Sequence, residues 1–358
     1  MKRNLSAIAL GLALAYAATP VMAQTATIDQ SGGNSNTGYV EQSNAGSAST
    51  ATITQIGSEN KAGNPGTVGG DGRELSATAG GILQSSSTNV TADVNQTGKN
   101  NTGMVKQQSV TTGTATILQN SDYGNSAAIT QADSSNVTAR VYQNESGNYS
   151  NTAVINQTVV SSNALAEVVQ GGNGQKAYIN QTGVTTGEAK TWQHGSGNTV
   201  TVNQGTGSNL YGYVYQSGNT NEATLTQGGS NNYAQYGPGY GIWQAGDRND
   251  SKISQFGTWG NVWTSQIGND NKATIEQLAS ATGGDWNSAH ITQTNNFNEA
   301  LIHQEAGSGN NASIAQSGTN VWASDYANKA WIYQVGGNLT ASVTQSGGHS
   351  NVAGIYQH

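Results

Sequence analysis

One frame recurs along this chain and limits what it can become. Between Gln266 and Gln277 the sequence reads QIGNDNKATIEQ, with glutamines 11 positions apart. Gly268, Asn271, Ala273 and Ile275 stand at fixed offsets between them. The frame returns at Gln216, Gly218, Asn221, Ala223, Leu225 and Gln227, and again at Gln96 to Gln107 and Gln193 to Gln204, with looser copies elsewhere. We count 13 copies between Gln30 and Gln357. A length of 358 residues would ordinarily suggest two or three domains, but self-similarity at this period signals one stacked repeat array.

Each copy divides into two short segments, each closed by a glutamine. The first segments close at Gln30, Gln55, Gln96, Gln119, Gln143, Gln170, Gln193, Gln216, Gln244, Gln266, Gln293, Gln316 and Gln345. The second close at Gln42, Gln84, Gln107, Gln131, Gln157, Gln181, Gln204, Gln227, Gln255, Gln277, Gln304, Gln334 and Gln357. Two residues before each of the second set is an aliphatic residue, from Val40 and Ile82 to Ile332 and Ile355. Four residues before it the residue is small, from Gly38 and Gly80 to Ala330 and Ala353, with Val200 the exception. The first segments repeat this scheme, broken in the aliphatic column by Thr191 and Thr264.

A small, aliphatic and glutamine residue at every second position is the periodicity of a β-strand with one buried face. Polar Thr, Asn, Ser, Lys and Glu between them suit the wet face. Gly and Asn in the Gly-x-x-Asn segments, including Asn101, Asn198, Asn221, Asn249, Asn271 and Asn298, suit tight turns. One copy buries too few aliphatic side chains to stand alone, so the copies must stack. The fold expected is an all-β solenoid of about 13 strand-turn-strand rungs in one repeat domain, 24–358, with cross-β stacking. Strands spaced about 4.8 Å make that stack roughly 60 Å long. Inward glutamines then lie above their counterparts and bond amide to amide. A buried amide without a partner costs about 1–3 kcal/mol, so the identity of the columns is a physical requirement. Four insertions, near Gly63–Ala79, Gly228–Gly239, Leu278–Asn287 and Thr319–Ala327, read as surface loops.

Residues 1–23 read as a secretory signal peptide: Lys2 and Arg3, an apolar run from Leu5 to Ala18, and small Ala23 before a cut at Gln24. No later segment is apolar enough for a transmembrane helix. Of 13 Lys and Arg, two lie in that leader; against 20 Asp and Glu the remainder carries −9, which argues against nucleic acid and anionic membranes as partners. Cysteine is absent, which excludes disulfides, a thiol nucleophile and thiolate metal sites.

The frame Gln-x-Gly-x-x-Asn-x-Ala-x-x-x-Gln resembles the curlin repeat of curli fibre subunits, matched by Gln266, Gly268, Asn271, Ala273 and Gln277 and by Gln216, Gly218, Asn221, Ala223 and Gln227. The resemblance implies a subunit of extracellular functional amyloid in the biofilm matrix of a Gram-negative bacterium, exported through the periplasm and contributing to adhesion. It also implies partners: further copies of the chain in a homopolymeric fibre, a nucleating minor subunit, an outer-membrane secretion pore and a periplasmic chaperone. The familiar subunits have fewer copies and a Gly-rich segment after the leader that addresses them to the pore. Here the first copy begins at once with Thr25-Ala26-Thr27-Ile28.

The first and last copies carry the intact pattern, so Ile28, Val40, Val343 and Ile355 are expected to mark polymerisation edges. A second reading is a monomeric secreted adhesin. The outward residue before the first-strand glutamine is Tyr142, Val169, Trp192, Tyr215 and Trp243 in successive copies, a column suited to lateral fibre contact, to sugar rings, or to stacking on itself; Tyr213, Tyr236 and Trp263 are expected nearby. Five scattered histidines lack zinc-motif spacing, and no acid, base and nucleophile set can be nominated. The chain therefore reads as neither an enzyme nor a cofactor binder. Gly69-Gly70-Asp71-Gly72 occurs once and reads as loop, and Asp122, Asp247 and Asp270 read as solvated turn residues.

Overall fold

The computed structural model describes residues 24–43, 48–62, 81–144, 149–234, 241–278, 285–318 and 327–358. The leader, Gly69–Gly72 and Tyr236 lie outside the described residues, as do residues 63–80 and 319–326 of two insertions.

Alternation dictates the architecture. Strands such as Asn287–Thr294 and Lys272–Gln277 are buried at every second residue. The described strands pair in parallel with the equivalent strand one rung away, small on small, aliphatic on aliphatic and glutamine on glutamine. Thr25–Ser31, for example, pairs with Thr50–Ser58 in register, Ile28 on Ile53 and Gln30 on Gln55. The result is an all-β solenoid of about 12 turns, with no helix among the described residues. First strands form one face, second strands the other, and a single core runs between them from Ala51 to Val343.

The small positions have a steric cause. A Cβ added to Gly103 would press on Val94 and Gln96, and one added to Gly212 would press on Leu225 and Gln227. Each small residue thus faces an aliphatic and a glutamine of the opposite strand, and the volume of one is available only because the other is small.

Three details differ from the periodicity as read. First, rung boundaries are not always loops: Thr199–Asn219 is one continuous strand segment spanning two faces, with a register shift between Gln204 and Gly207 where the chain bends. Second, Gly228–Ala234 is not loop. It extends the strand Glu222–Ala234 and pairs with the next rung, Ser230 on Thr258 and Ala234 on Val262. Ala234 fills a small core position and Asn232 is buried, so this stretch is the start of a rung. Third, in the second copy the small position belongs to Ala62, which pairs with Gly38 and is fully buried. Gly80, assigned there by counting back from Gln84, lies outside the described residues. Strand Lys61–Ala62 forms before the insertion and Gly81–Ser85 after it.

Candidate functional site

The functional surface of a stacked chain is its stack, so its bonds come first. In the first-strand column Gln30 donates Nε2 to Oε1 of Gln55 at 2.6 Å, and Gln55 to Gln96 at 2.9 Å. The chain of bonds continues through Gln119, Gln143, Gln170, Gln193 and Gln216. It proceeds through Gln244, Gln266, Gln293 and Gln316 to Gln345. The second column runs likewise from Gln42 through Gln84, Gln107, Gln131 and Gln157. From there it passes through Gln181, Gln204, Gln227, Gln255 and Gln277. Gln304, Gln334 and Gln357 complete it. Every amide points the same way along the stack.

The second Nε2 hydrogen fixes that direction. In Gln119 it goes to Thr102 O at 3.0 Å, in Gln193 to Lys176 O at 3.0 Å and in Gln266 to Asp250 O at 2.9 Å. With both hydrogens committed, only the oxygen can accept from the rung before. These glutamines, at most 2% exposed through the middle of the stack, are satisfied only because their neighbours are glutamine too.

A third ladder lies at the turn, and the sequence revealed less than half of it. The backbone N–H of Asn60 donates to Asn36 Oδ1, Asn101 to Asn60, Asn125 to Asn101 and Asn151 to Asn125. Gln175 substitutes in one rung. Asn198, Asn221, Asn249, Asn271 and Asn298 follow, then Asn328, which donates to Asn298 Oδ1 through its side-chain Nδ2, and Asn351, again through its N–H. Asn198 Nδ2 also donates to His194 O at 2.8 Å, closing its own turn, and to Gly218 O at 2.9 Å, tying it to the next. The signal that could have found the remaining members is the left-handed residue just before each: Glu59, Asn100, Gly124, Gly174, Gly197, Thr220, Arg248, Asp270 and Ser350 all have φ between 52° and 82°. That conformation favours Gly, Asn and Asp, and other types at those positions hid it.

The opposite turn changes character along the chain. In the early rungs it is a small apolar corner of Val90, Val110, Val137, Val160 and Ala164, with Ser87 and Ser134 Oγ accepting the N–H of Val110 and Val160. Later, Asn232, Asn287 and Asn310 take over, accepting from Gly260, Asn310 and Leu339.

The aromatic column is in register: Tyr142 pairs with Val169, Val169 with Trp192, Trp192 with Tyr215 and Tyr215 with Trp243. Trp243 is 43% exposed. Beside the column, Tyr213 meets Trp192 edge-on at 6.4 Å, and Lys190 Nζ lies 5.6 Å from its ring centre. Burial, then Glu188, pushes the Tyr213 phenol well above its ordinary range. Tyr211 stacks on Tyr233 at 5.0 Å, and Trp263 on His290 at 5.2 Å, with nearly parallel ring planes in both cases. These stacked rings spend a face on the next rung, which is cross-strand stabilisation.

No group of three or more metal-ligating side chains capable of holding an ion occurs among the described residues. His303 lies between Glu276, 3.1 Å away, and Glu305, 3.5 Å away, on the outer face of the second strands. Asp270 forms a two-pronged pair with Arg248, and Asp247 Oδ1 accepts from Asn219, so both are turn residues with partners. A cleft of about 510 Å³ on the same face is lined by Lys272, Glu299, Leu301, Lys329, Trp331 and Tyr333.

No curated protein matches the chain. A family model does: the curlin associated repeat matches residues 218–257 and 284–318. Both stretches fall on the rungs just described, the first opening at Gly218 of one turn and closing at Gly257 of another, with Gln227, Gln244, Asn249 and Gln255 between. Those two matched stretches resemble the curlin associated repeat, and they coincide with rungs of the solenoid.

Proposed function

We propose that the protein is a structural subunit of curli-like extracellular amyloid fibres, assembling end to end through the rungs of its solenoid and contributing to adhesion in a biofilm matrix. One observation carries the reading: the described stack stays open at both ends. Ile28, Val40, Ala353 and Ile355 pack against the core yet are only partly buried, whereas their counterparts one rung inward, Ile53, Ile82, Ala330 and Ile332, are 0–3% exposed. Unpaired strand edges with apolar side chains template further pairing.

The curlin repeat supports the same class. By that likeness the working partners are further copies of the chain, a nucleating subunit, an outer-membrane pore and a periplasmic chaperone, and the site of action is outside the cell. Tyr142, Trp192, Tyr215 and Trp243 are assigned to lateral contact between filaments, with Trp243 foremost because it is the most open of the four.

Electron microscopy of purified protein, refolded from denaturant into neutral buffer, tests the reading. Unbranched filaments a few nanometres wide are expected. Single rods about 60 Å long that persist without elongating would sink it and favour a monomeric adhesin.

A further inference from the structure

We infer that Tyr333 and Tyr356 form an oxidative cross-linking site. A peroxide acting through a haem peroxidase joins the two rings as dityrosine and staples the strand Val352–Gln357 to the strand Asn328–Val335.

A chain without cysteine has no disulfide, so any covalent tie between its rungs must come from other side chains. Tyrosine can supply one, because its one-electron oxidation gives a radical that couples to a second tyrosine in contact with it. Parallel stacking in register brings such partners together. Two pairs of tyrosines meet ring to ring one rung apart, Tyr211 with Tyr233 and Tyr333 with Tyr356. Their surroundings differ. Tyr211 and Tyr233 lie face on face, 7° from parallel, and Trp286 packs on Tyr233 with ring centres 5.3 Å apart. Rings held that way offer their faces, whereas coupling needs their ortho edges.

Tyr333 and Tyr356 are tilted 30° to one another with ring centres 6.4 Å apart. Each stands just before a second-strand glutamine, Gln334 and Gln357, on the outer face of the sheet. Tyr356 is 67% exposed, and its strand pairs with Asn328–Val335 alone among the described residues, so its ring has room to turn its edge toward its neighbour. Tyr333 lines the cleft beside Trp331. An imidazole stands beside each ring, His303 with its centre 5.4 Å from that of Tyr333 and His358 5.6 Å from that of Tyr356, placed to take the proton that leaves with each electron.

The exposed Tyr356 loses an electron and its phenolic proton first. Tyr333 then passes a hydrogen atom to that radical, and Tyr356, a phenol again, is oxidised a second time. The two radicals pair, and one bond forms between ortho carbons. Each ring returns its ortho hydrogen to its phenolic oxygen and is aromatic once more. The pair has given up two electrons and two protons, which convert one hydrogen peroxide into two waters. The new bond spans 23 residues, the same separation as that of Gln334 and Gln357 in the ladder beside it. It ties down a strand with one neighbour, the kind of edge that opens first.

No Lys or Arg follows Lys329, so trypsin releases residues 330–358 as one peptide whose only tyrosines are Tyr333 and Tyr356. Folded protein is treated with a haem peroxidase and hydrogen peroxide, then denatured and digested. The peptide is expected as a monomer lighter by two hydrogens, with dityrosine fluorescence, in several-fold higher yield than from protein oxidised in denaturant. Tyr333→Phe and Tyr356→Phe should each abolish that product. Tyr123→Phe, which alters a tyrosine 56% exposed at a turn, should leave its yield unchanged. Hydrogen exchange across Val352–Gln357 should slow about tenfold in the cross-linked protein. A peptide dimer in place of the lightened monomer places the coupling between copies and overturns the pair. Equal yields from folded and denatured protein remove the fold as the cause of the coupling. A peptide of unchanged mass, in a reaction that couples free tyrosine in the same tube, overturns the site, and unchanged exchange in the cross-linked protein overturns the staple.

Discussion

Two threonines interrupt the aliphatic column, and their surroundings give them opposite energetics. Thr264 is fully buried, and its hydroxyl meets that of Ser251 at 2.6 Å; Ser251 itself stands where most rungs have alanine. The two exceptions in the pattern are one hydrogen-bonded pair. Thr191 is equally buried, but its Oγ1 has no hydrogen-bond partner among the described residues. Valine is nearly isosteric with threonine. Thr191→Val should therefore stabilise the protein by about 1 kcal/mol, whereas Thr264→Val should cost about 1–3 kcal/mol by orphaning Ser251. Adding Ser251→Ala to Thr264→Val should restore most of that loss. Denaturant unfolding of the three variants checks the signs. Glycine gives a second residue-scale test. Gly195 has φ 101°, and a Cβ there would overlap Gly218 O of the next rung. Gly195→Ala should cost several times more than Gly32→Ala, which has the same left-handed sign of φ, 66°, but open space around it. Strain alone is of order 1–3 kcal/mol, so a difference beyond that measures the collision.

At the scale of strands and turns, legibility follows from how many rules bind a position. Inward positions answer to burial, volume and amide satisfaction together, which is why Ile, Ala and Gln recur there and the strands could be read from alternation. A turn position answers to backbone geometry alone, which several residue types satisfy at modest cost. Asn125, Asn151 and Asn328 therefore escape a reading keyed on Gly-x-x-Asn, and Gln175 escapes one keyed on asparagine. Gly228–Ala234 reads as loop in the sequence because its glycines mask the alternation of Asn232, Tyr233 and Ala234. Outward positions are looser still, and the pairing of Trp263 with His290 was not legible from either residue. That pairing makes a prediction about pH. Burial lowers the His290 pKa below its ordinary 6.5. The unfolded chain then binds the proton first, so its stability contribution is present above pH 6.5 and is lost as pH falls toward the lowered folded value. His290→Gln should flatten that part of the stability–pH curve and leave the curve above pH 7 parallel to that of the unsubstituted protein. A variant curve with unchanged slope through the window would place the acid sensitivity elsewhere.

The whole molecule is nearly one-dimensional: each rung touches the rung before and the rung after, so stability is close to a sum of rung and interface contributions. It follows that a rung is a removable unit only if it leaves whole. Deleting residues 194–216 removes 23 residues, the spacing between Gln193 and Gln216, and brings Gln193 to the position Gln216 had. Gln193 then donates to Gln244, Gln181 to Gln227, and the N–H of Asn221 donates to Gln175 Oε1, so all three ladders close again with one member fewer. Deleting only residues 194–205 removes the second strand and joins two first strands, which sets Gln216 where a second-column glutamine belongs and leaves Gln181 and Gln227 without a common rung. The full deletion should keep the β-sheet circular dichroism signature, a cooperative unfolding transition and filament growth, with a denaturant slope lowered in proportion to the surface lost, about one part in 13 for 13 rungs. The half deletion, smaller in sequence, should lose cooperativity. If both deletions are tolerated equally, the ladders are not what holds the rungs in phase, and the identity of the glutamine columns needs another cause.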